Sequence, residues 1–306
     1  MLWRMIRTSI TLNRLLLLAL SMALGSAVAG FGGEPIDWGV FASGSLLLIS
    51  LHIAMGLVGQ FFYMENDLLE RLQSLLKLNQ ARKPGEELIL ERPRYLSLLL
   101  ALPFFTLFVF LFLQLMQSRM LTPGALLFLL IIILLAILEN TPPARLARSP
   151  YRDLAAGFAN VLLPAVFALL LQGGEAVGLL MVFAIPLLFL FLALRITQAL
   201  EKYEEDLRME RSTLLNAIGW ERGMLLHNLF VLVAFLLLLL AGMFTRFSWR
   251  LLAPCLIALP FGLLQVWQMI SIANGAPVRW RLLRFSAHTT LYLGFYLTLF
   301  TLLVVW

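Results

Sequence analysis

Two polar stretches stand out in an otherwise apolar sequence, and each carries carboxylates at helical spacing. The first island, residues 65–94, places Asn66, Asp67 and Glu70 on one stripe of a predicted helix. Oxygen ligands at this spacing can share a divalent cation, and Mg²⁺ prefers one or two carboxylates together with phosphate oxygens. Lys83 follows in a basic turn suited to a phosphate contact. The alternative interpretation of this stripe is the solvated face of an amphipathic helix at a membrane surface.

The second island, residues 199–222, has a similar mixture of charges. On a helix, Glu201 and Glu205 align on one face, and Lys202 and Asp206 align on another. A pair of like charges four residues apart is mildly unfavourable unless a cation lies between them. This island is therefore either a second cation-binding segment or a solvated loop helix held by salt bridges.

The rest of the chain predicts the elements that must position these islands. Its 306 residues are 61% hydrophobic and only 13% charged, and the mean hydropathy is +0.92. Long apolar runs of this kind cross a bilayer as helices, because lipid offers the backbone no hydrogen-bond partners. The nine predicted spans are Leu15–Phe31, Val40–Met64, Tyr95–Met116, Leu121–Leu138, Leu154–Leu171, Ala176–Leu200, Gly223–Phe244, Leu251–Ile272 and Phe285–Trp306. The fold class is thus an all-α polytopic membrane protein, a single domain over 1–306 whose nine transmembrane helices surround a central cavity under cytoplasmic cap loops.

The basic residues indicate the orientation of the chain. If the spans alternate, 20 of the 23 Lys and Arg residues fall on the side of the N-terminus and of both islands. By the positive-inside rule that side is cytoplasmic, so the C-terminus lies outside. Their position at span ends argues for a lipid bilayer, and against nucleic acid, as the partner of this positive charge. Residues 27–29, Ala-Val-Ala, leave a cleaved signal peptide open as an alternative to the first span.

Polar side chains within the apolar runs cost free energy in the bilayer unless neighbouring helices provide hydrogen-bond partners. Gln60, Asn160, Gln265 and Gln268 are therefore expected to face the interior of the bundle. Arg195 precedes the second island, where it either reaches the membrane surface or contacts a phosphate.

Three segments resemble sequence motifs of the UbiA-type intramembrane prenyltransferase superfamily, and they are most similar to those of its quinone branch. Residues 66–74, NDLLERLQS, resemble a degraded N-D-x-x-D-x-x-x-D motif, and the basic-Pro-Gly turn at 83–85 follows it. Residues 140–154 resemble the Tyr-Thr-x-x-Pro stretch that leads into the fifth span. The spacing from Asp206 to Thr213 and Gly219 resembles the end of the second aspartate motif.

This resemblance implies transfer of an isoprenyl group from a polyprenyl diphosphate to an aromatic or quinone-precursor acceptor, in a membrane such as the bacterial inner membrane. It implies Mg²⁺ as the cofactor that holds the diphosphate. Carried over by position, the implied catalytic residues are Asp67, Glu70 and Asp206, the metal ligands are Asp67, Glu70, Glu205 and Asp206, and the substrate-binding residues are Asn66, Lys83, Lys202, Arg211, Arg195 and Tyr151.

The sequence departs from the family pattern at the carboxylates themselves. Glu70 and Ser74 stand where the first motif has Asp, and Lys202 stands where the second motif opens with Asp. An alternative function is therefore a catalytically inactive relative that binds an isoprenoid lipid or acts as a membrane assembly partner. A transporter is less favoured, because the charges gather at one surface and coupling sites lie near the bilayer midplane.

Overall fold

The fold was obtained as a computed structural model that describes residues 12–76, 86–142, 146, 149–208, 213–244 and 249–304, with only the helical backbone for 63–76 and 86–94. Within these residues every regular element is a helix. The elements are α1 (Leu12–Phe31), α2 (Trp38–Leu76), α3 (Glu86–Gln117), α4 (Pro123–Asn140), α5 (Arg152–Gly157), a π-helical segment (Phe158–Leu162), α6 (Leu163–Leu171), α7 (Val177–Glu201), α8 (Tyr203–Arg208), α9 (Leu214–Ile218), α10 (Trp220–Phe244), α11 (Trp249–Leu252), a 3₁₀ segment (Ala253–Ala258), α12 (Leu259–Ala273) and α13 (Trp280–Val304).

Nine stretches of the described residues are long and apolar enough to cross a membrane, as the sequence predicts. We call them spans 1 to 9 in chain order. Spans 1 to 4 lie in α1 to α4, span 5 is Arg152–Leu171, spans 6 and 7 are α7 and α10, span 8 is Trp249–Ala273, and span 9 is α13. The chain is thus an all-α integral membrane protein.

Spans 1, 5 and 6 form the centre of the bundle. Leu24, Ala165 and Leu180 are fully buried there. Spans 1 and 5 approach closely at Gly25, where an added Cβ would collide with the Ala165 carbonyl and lie 2.8 Å from the backbone nitrogen of Leu169. A small residue is needed at this crossing, as is common where helices pack within lipid.

Spans 7, 8 and 9 are joined by a buried polar network. Gln265 of span 8 lies 3.3 Å from His227 Nε2 on span 7 and donates to Thr290 Oγ1 on span 9 at 2.5 Å. Gln268 donates to Ser286 Oγ at 3.3 Å. Both glutamines are buried, which confirms the prediction that they face the interior.

The first island begins on a helix that extends well beyond its membrane-spanning part. Span 2 covers Trp38–Phe62, yet α2 continues to Leu76. Its 39 residues correspond to about 58 Å at the rise of an α-helix, against about 30 Å for a hydrocarbon core. The predicted continuation of this helix past the membrane is confirmed, and α3 packs along it as the second arm of a hairpin.

Candidate functional site

A buried ion pair joins the ends of spans 1 and 4 on the side of the bundle where the islands lie. Arg14 Nη2 donates to Glu139 Oε2 at 2.6 Å. Arg14 Nε also donates to Asn160 Oδ1 on span 5 at 2.9 Å. Glu139 is 7% exposed, so this charge depends on Arg14 for compensation. The arrangement holds the start of span 1 and the middle of span 5 against the end of span 4.

The π-helical segment of span 5 positions Asn160 for this contact. Residue 164, which would donate to the Asn160 carbonyl in a regular helix, is proline and has no N–H. The π-helical turn accommodates this interruption, and Ser21 Oγ of span 1 donates to the freed carbonyl at 2.9 Å. The predicted inward orientation of Asn160 is therefore confirmed. One proline determines both the local helix geometry and a contact between spans.

A second ion pair joins the ends of spans 5 and 6. Arg195 Nε donates to Asp153 Oδ1 at 2.8 Å, and Arg195 Nη2 lies 2.8 Å from the same oxygen. Its Nη1 donates to Gln198 Oε1 at 3.0 Å. Arg195, a predicted substrate contact, is thus oriented toward span 5.

Arg152 is the neighbour of Asp153 in span 5 and lies within electrostatic reach of both ion pairs. It interacts with Arg14 and Glu139 of the first pair and with Asp153 and Arg195 of the second. We call these five side chains the arginine cluster. The cluster draws on spans 1, 4, 5 and 6 and includes one more cation than anions.

His52 of span 2 lies near the same cluster, within electrostatic reach of Arg14 and Glu139. The His52 side chain is buried, and its Nδ1 lies 3.0 Å from the Leu48 carbonyl. A carbonyl only accepts hydrogen bonds, so Nδ1 carries a proton, and in the neutral ring Nε2 bears the lone pair.

The second island folds as separate short helices. Span 6 ends at Glu201, Lys202 forms a turn, and α8 begins at Tyr203. Asp206 of α8 is 7% exposed and faces inward, whereas Lys202 and Glu205 are exposed.

Glu201 is the last residue of span 6, and its Oε1 lies 3.5 Å from Nη1 of Arg284 on span 9. This contact links the second island to the start of the last span. The side chains of the predicted like-charge pair therefore have different surroundings: Glu201 has a cationic neighbour, and Glu205 faces solvent.

The first island is described only in part. Asn66, Asp67 and Glu70 lie on the helical backbone of α2, but their side chains are outside the described residues. Lys83 and Arg211 are outside them altogether. Among the side chains that the structure does describe, no group of three or more His, Cys, Asp or Glu is placed to hold a metal ion. The predicted metal set therefore stays a prediction.

Tyr151 lies in a different environment from the arginine cluster. It is 67% exposed and lines an apolar groove of about 390 Å³ between spans 4 and 5. Leu134, Leu154 and Phe158 line the same groove. If Tyr151 contacts substrate, as predicted, the contact would lie in this exposed groove on the outer face of the bundle.

Most of the arginine cluster is absent from the set predicted from sequence, which includes Arg195 alone. The signal that could have found it is Glu139, a carboxylate at the end of an otherwise apolar run. An ionisable residue within a span calls for a partner. Arg14, near the start of span 1, is the corresponding cation.

Comparison with known proteins gives the identity of the fold. No family model and no curated protein matches the sequence. Among solved structures, digeranylgeranylglyceryl phosphate synthase is similar with a TM-score of 0.57 and 15% identity, over 96% of this chain and 97% of that one. A UbiA homologue from Archaeoglobus fulgidus is similar in two structures. The structure with GPP and Mg²⁺ has a TM-score of 0.55 and 17% identity, over 94% of this chain and 98% of that one.

The same homologue bound to Cd²⁺ has a TM-score of 0.52 and 15% identity, over 94% of this chain and 97% of that one. All three likenesses extend over nearly the whole of both chains, so they concern the complete bundle. The chain therefore has the fold of the UbiA-type intramembrane prenyltransferases.

Proposed function

We propose that this protein is a membrane prenyltransferase that transfers an isoprenyl group from a polyprenyl diphosphate to an aromatic or quinone-precursor acceptor. The observation that carries the proposal is the whole-chain likeness to a UbiA homologue whose structure contains GPP and Mg²⁺. The bacterial inner membrane is the proposed location, with the N-terminus and both islands on the cytoplasmic side and the C-terminus outside.

In this proposal the two islands bind the diphosphate end of the substrate. Asp206 supports it, because this carboxylate is turned inward while its neighbour Glu205 faces solvent. Asn66, Asp67 and Glu70 would contribute oxygen atoms from α2. Hard oxygen donors of this kind fit Mg²⁺, and these residues with Asp206 would hold it. When bound, Mg²⁺ would neutralise charge on the leaving diphosphate.

The chain's own residues have two tasks in this reaction. Cationic side chains, with Lys83, Lys202 and Arg211 as candidates, would stabilise the negative charge that grows on the departing diphosphate. The apolar spans would keep water from the allylic cation. The allylic carbon would leave the diphosphate oxygen with the bonding electrons on that oxygen, the acceptor carbon would form the new bond to it, and a base would take the acceptor's proton.

The proposal is tested with purified protein, Mg²⁺, labelled polyprenyl diphosphates of different lengths and a set of aromatic acceptors. We expect prenylated product and released diphosphate. Asp206→Asn should lower the rate at least about tenfold, because it removes a charge from the site without changing its size. Glu204→Gln is the matched control, since Glu204 lies on the same short helix with its side chain 86% exposed. Neither product nor diphosphate release under any pairing would refute the proposal.

A second candidate function is an inactive relative that binds an isoprenoid lipid or helps to assemble other membrane proteins. Lys202 and Glu205 are exposed, so among the described residues of α8 only one carboxylate, that of Asp206, faces inward. A single inward carboxylate in this island favours the inactive candidate, because a metal site needs several ligands. This candidate predicts that Asp67→Ala and Asp206→Ala leave the protein's cellular function intact. Loss of that function in both variants would eliminate it.

A further inference from the structure

We propose that Trp220 is a positioning residue that, together with Tyr203 and Trp280, forms an aromatic clamp and fixes the inward orientation of Asp206. The orientation is a property of the fold, whereas its use in binding Mg²⁺ and diphosphate rests on the proposed function. None of the three aromatic residues is a defining position of the sequence motifs or a member of the arginine cluster.

Asp206 lies on a helix that is too short to hold its own orientation. α8 has only six residues, Tyr203–Arg208. A helix of this length is marginal without tertiary contacts, because closing its first turn fixes several residues for one hydrogen bond. Asp206 is nevertheless only 7% exposed, whereas Glu204 and Glu205 on the same helix are exposed. Contacts with the rest of the bundle must therefore set the rotation of α8.

Tyr203 provides such a contact at the start of α8. Its ring packs against that of Trp220, with the ring centroids 5.5 Å apart and the ring planes at 60°. Aromatic pairs prefer an edge-on arrangement of this kind. Residues three apart in a helix lie on the same side, so the ring of Tyr203 and the carboxylate of Asp206 turn together. A contact that holds Tyr203 therefore also holds Asp206.

Trp220 connects this contact to the membrane-spanning part of the bundle. It is the first residue of span 7, and Trp280 is the first residue of span 9. The centroids of these two rings are 6.3 Å apart, and the ring planes meet at 89°. Gln265 of span 8 links spans 7 and 9 through the buried polar network. The clamp thus joins a short surface helix to three spans that are bonded to one another.

The other described helix of the second island packs on the same base. Leu215 of α9 is buried, and it lies so close to Gly223 of span 7 that a Cβ at residue 223 would collide with it. Gly219 then turns the chain into span 7 with a φ of +86°, a left-handed conformation that favours glycine. Its N–H donates to the Leu215 carbonyl at 2.8 Å, and its own carbonyl accepts from the Gly223 N–H at 3.0 Å. Trp220 directly follows this turn, so its backbone is held on both sides.

The ion pair between Glu201 and Arg284 is a weaker connection between the same elements. The two side chains are 29% and 47% exposed, and their charged atoms are 3.5 Å apart. Exposed pairs of this kind contribute little, because water screens the attraction. We therefore expect the packed rings, rather than this ion pair, to determine the orientation of Asp206.

The first test measures the exposure of residue 206 directly, in the full chain in nanodiscs. Asp206→Cys is combined with Cys255→Ser, so that residue 206 carries the only thiol of the chain. The rate at which this thiol reacts with a charged maleimide reports its exposure. Trp220→Leu then removes one ring and keeps an apolar side chain. The matched control is Trp267→Leu, because Trp267 is 59% exposed on span 8.

We expect Trp220→Leu to raise the labelling rate of residue 206 roughly tenfold or more, because two ring contacts are lost. Trp267→Leu should leave the rate unchanged. Trp220→Phe should restore most of the protection, since a phenyl ring can keep the edge-on contact. Equal labelling with and without the Trp220 ring, or an equal increase in Trp267→Leu, would overturn the inference.

Folding of each variant is established by monodisperse elution and by its melting temperature. Tyr203→Leu opens the clamp at the other end, on α8, and should raise the labelling rate as Trp220→Leu does. It decides the test if Trp220→Leu does not fold. Unchanged labelling in Tyr203→Leu would then refute the inference.

The second test asks whether the clamp acts through Asp206 or through general stability. It measures binding of labelled geranyl diphosphate over a range of Mg²⁺ concentrations. Trp220→Leu should raise the Mg²⁺ concentration for half-maximal binding by roughly tenfold. In an Asp206→Asn background it should have no further effect, because no carboxylate remains to be oriented. Additive effects of the two substitutions would indicate a merely structural role and would contradict the inference.

The two tests separate this inference from the proposed function. Protection of residue 206 that depends on Trp220, in a protein that binds no geranyl diphosphate, would support the clamp and refute the proposed function. Prenyl transfer by a protein in which labelling of residue 206 is independent of Trp220 would refute the clamp and leave the proposed function standing.

Discussion

We expect the two partners of the Arg14–Glu139 ion pair to differ in how much unfolding free energy is lost when each is replaced. Glu139→Gln leaves a guanidinium that is 26% exposed in the side chain and still bonded to Asn160. Arg14→Gln leaves a carboxylate that is only 9% exposed. Breaking a buried pair typically costs about 3–5 kcal/mol, and partial exposure of Arg14 reduces this figure. We expect a loss of about 2 kcal/mol for Glu139→Gln and about 3 kcal/mol for Arg14→Gln.

The double variant Arg14→Gln/Glu139→Gln distinguishes a true pair from two independent residues. Removing both charges leaves neither one uncompensated, so the loss should be smaller than for Arg14→Gln alone. Unfolding can be followed through Cys255, the chain's single cysteine, which is buried and which we therefore expect to react with a thiol dye only in unfolded protein. Additive losses, or losses below about 0.5 kcal/mol in both single variants, would refute the reasoning.

Two further predictions concern how the spans pack. Ser21→Ala should lower the free energy of unfolding by about 0.5–1 kcal/mol, because the Asn160 carbonyl loses its donor. Adding Pro164→Ala should recover part of the loss by restoring an N–H to residue 164, and no recovery would contradict this account. Gly25→Ala should cost more than about 2 kcal/mol, since its Cβ would meet the backbone of span 5. Gly178→Ala is its control, because a Cβ there meets nothing within 4 Å; equal losses by thermal unfolding would contradict the packing argument.

Hydropathy was sufficient to predict the bundle, because length and apolarity are the physical requirements for crossing a membrane. The nine spans and the burial of Gln265 and Gln268 follow from those requirements, whereas the continuation of α2 follows from the helical spacing of residues in the first island. Span limits shift by a few residues. Span 2 starts at Trp38 rather than Val40, and span 7 starts at Trp220 rather than Gly223. Polar residues near a helix end change hydropathy without ending the helix.

The arginine cluster could not be predicted in the same way, because its members come from four spans. Arg14 and Glu139 are 125 residues apart, and no local spacing connects them. The turn at Lys202 was also not expected, since the charge pattern of the second island continues smoothly across it. Tertiary packing decides both features. The roles of Asp67, Glu70 and Lys83 stay predictions from the motif resemblance.

The distance in sequence between Arg14 and Glu139 has a consequence for biosynthesis. Span 1 leaves the ribosome well before span 4, and at roughly 5–20 residues per second the intervening 125 residues take about 6–25 s to translate. During that interval the nascent first helix must hold its arginine at the lipid headgroups, where a long side chain can reach water. The ion pair with Glu139 can form only after the fourth helix has been inserted. The order of synthesis therefore sets the earliest time at which span 1 can take its final place in the bundle.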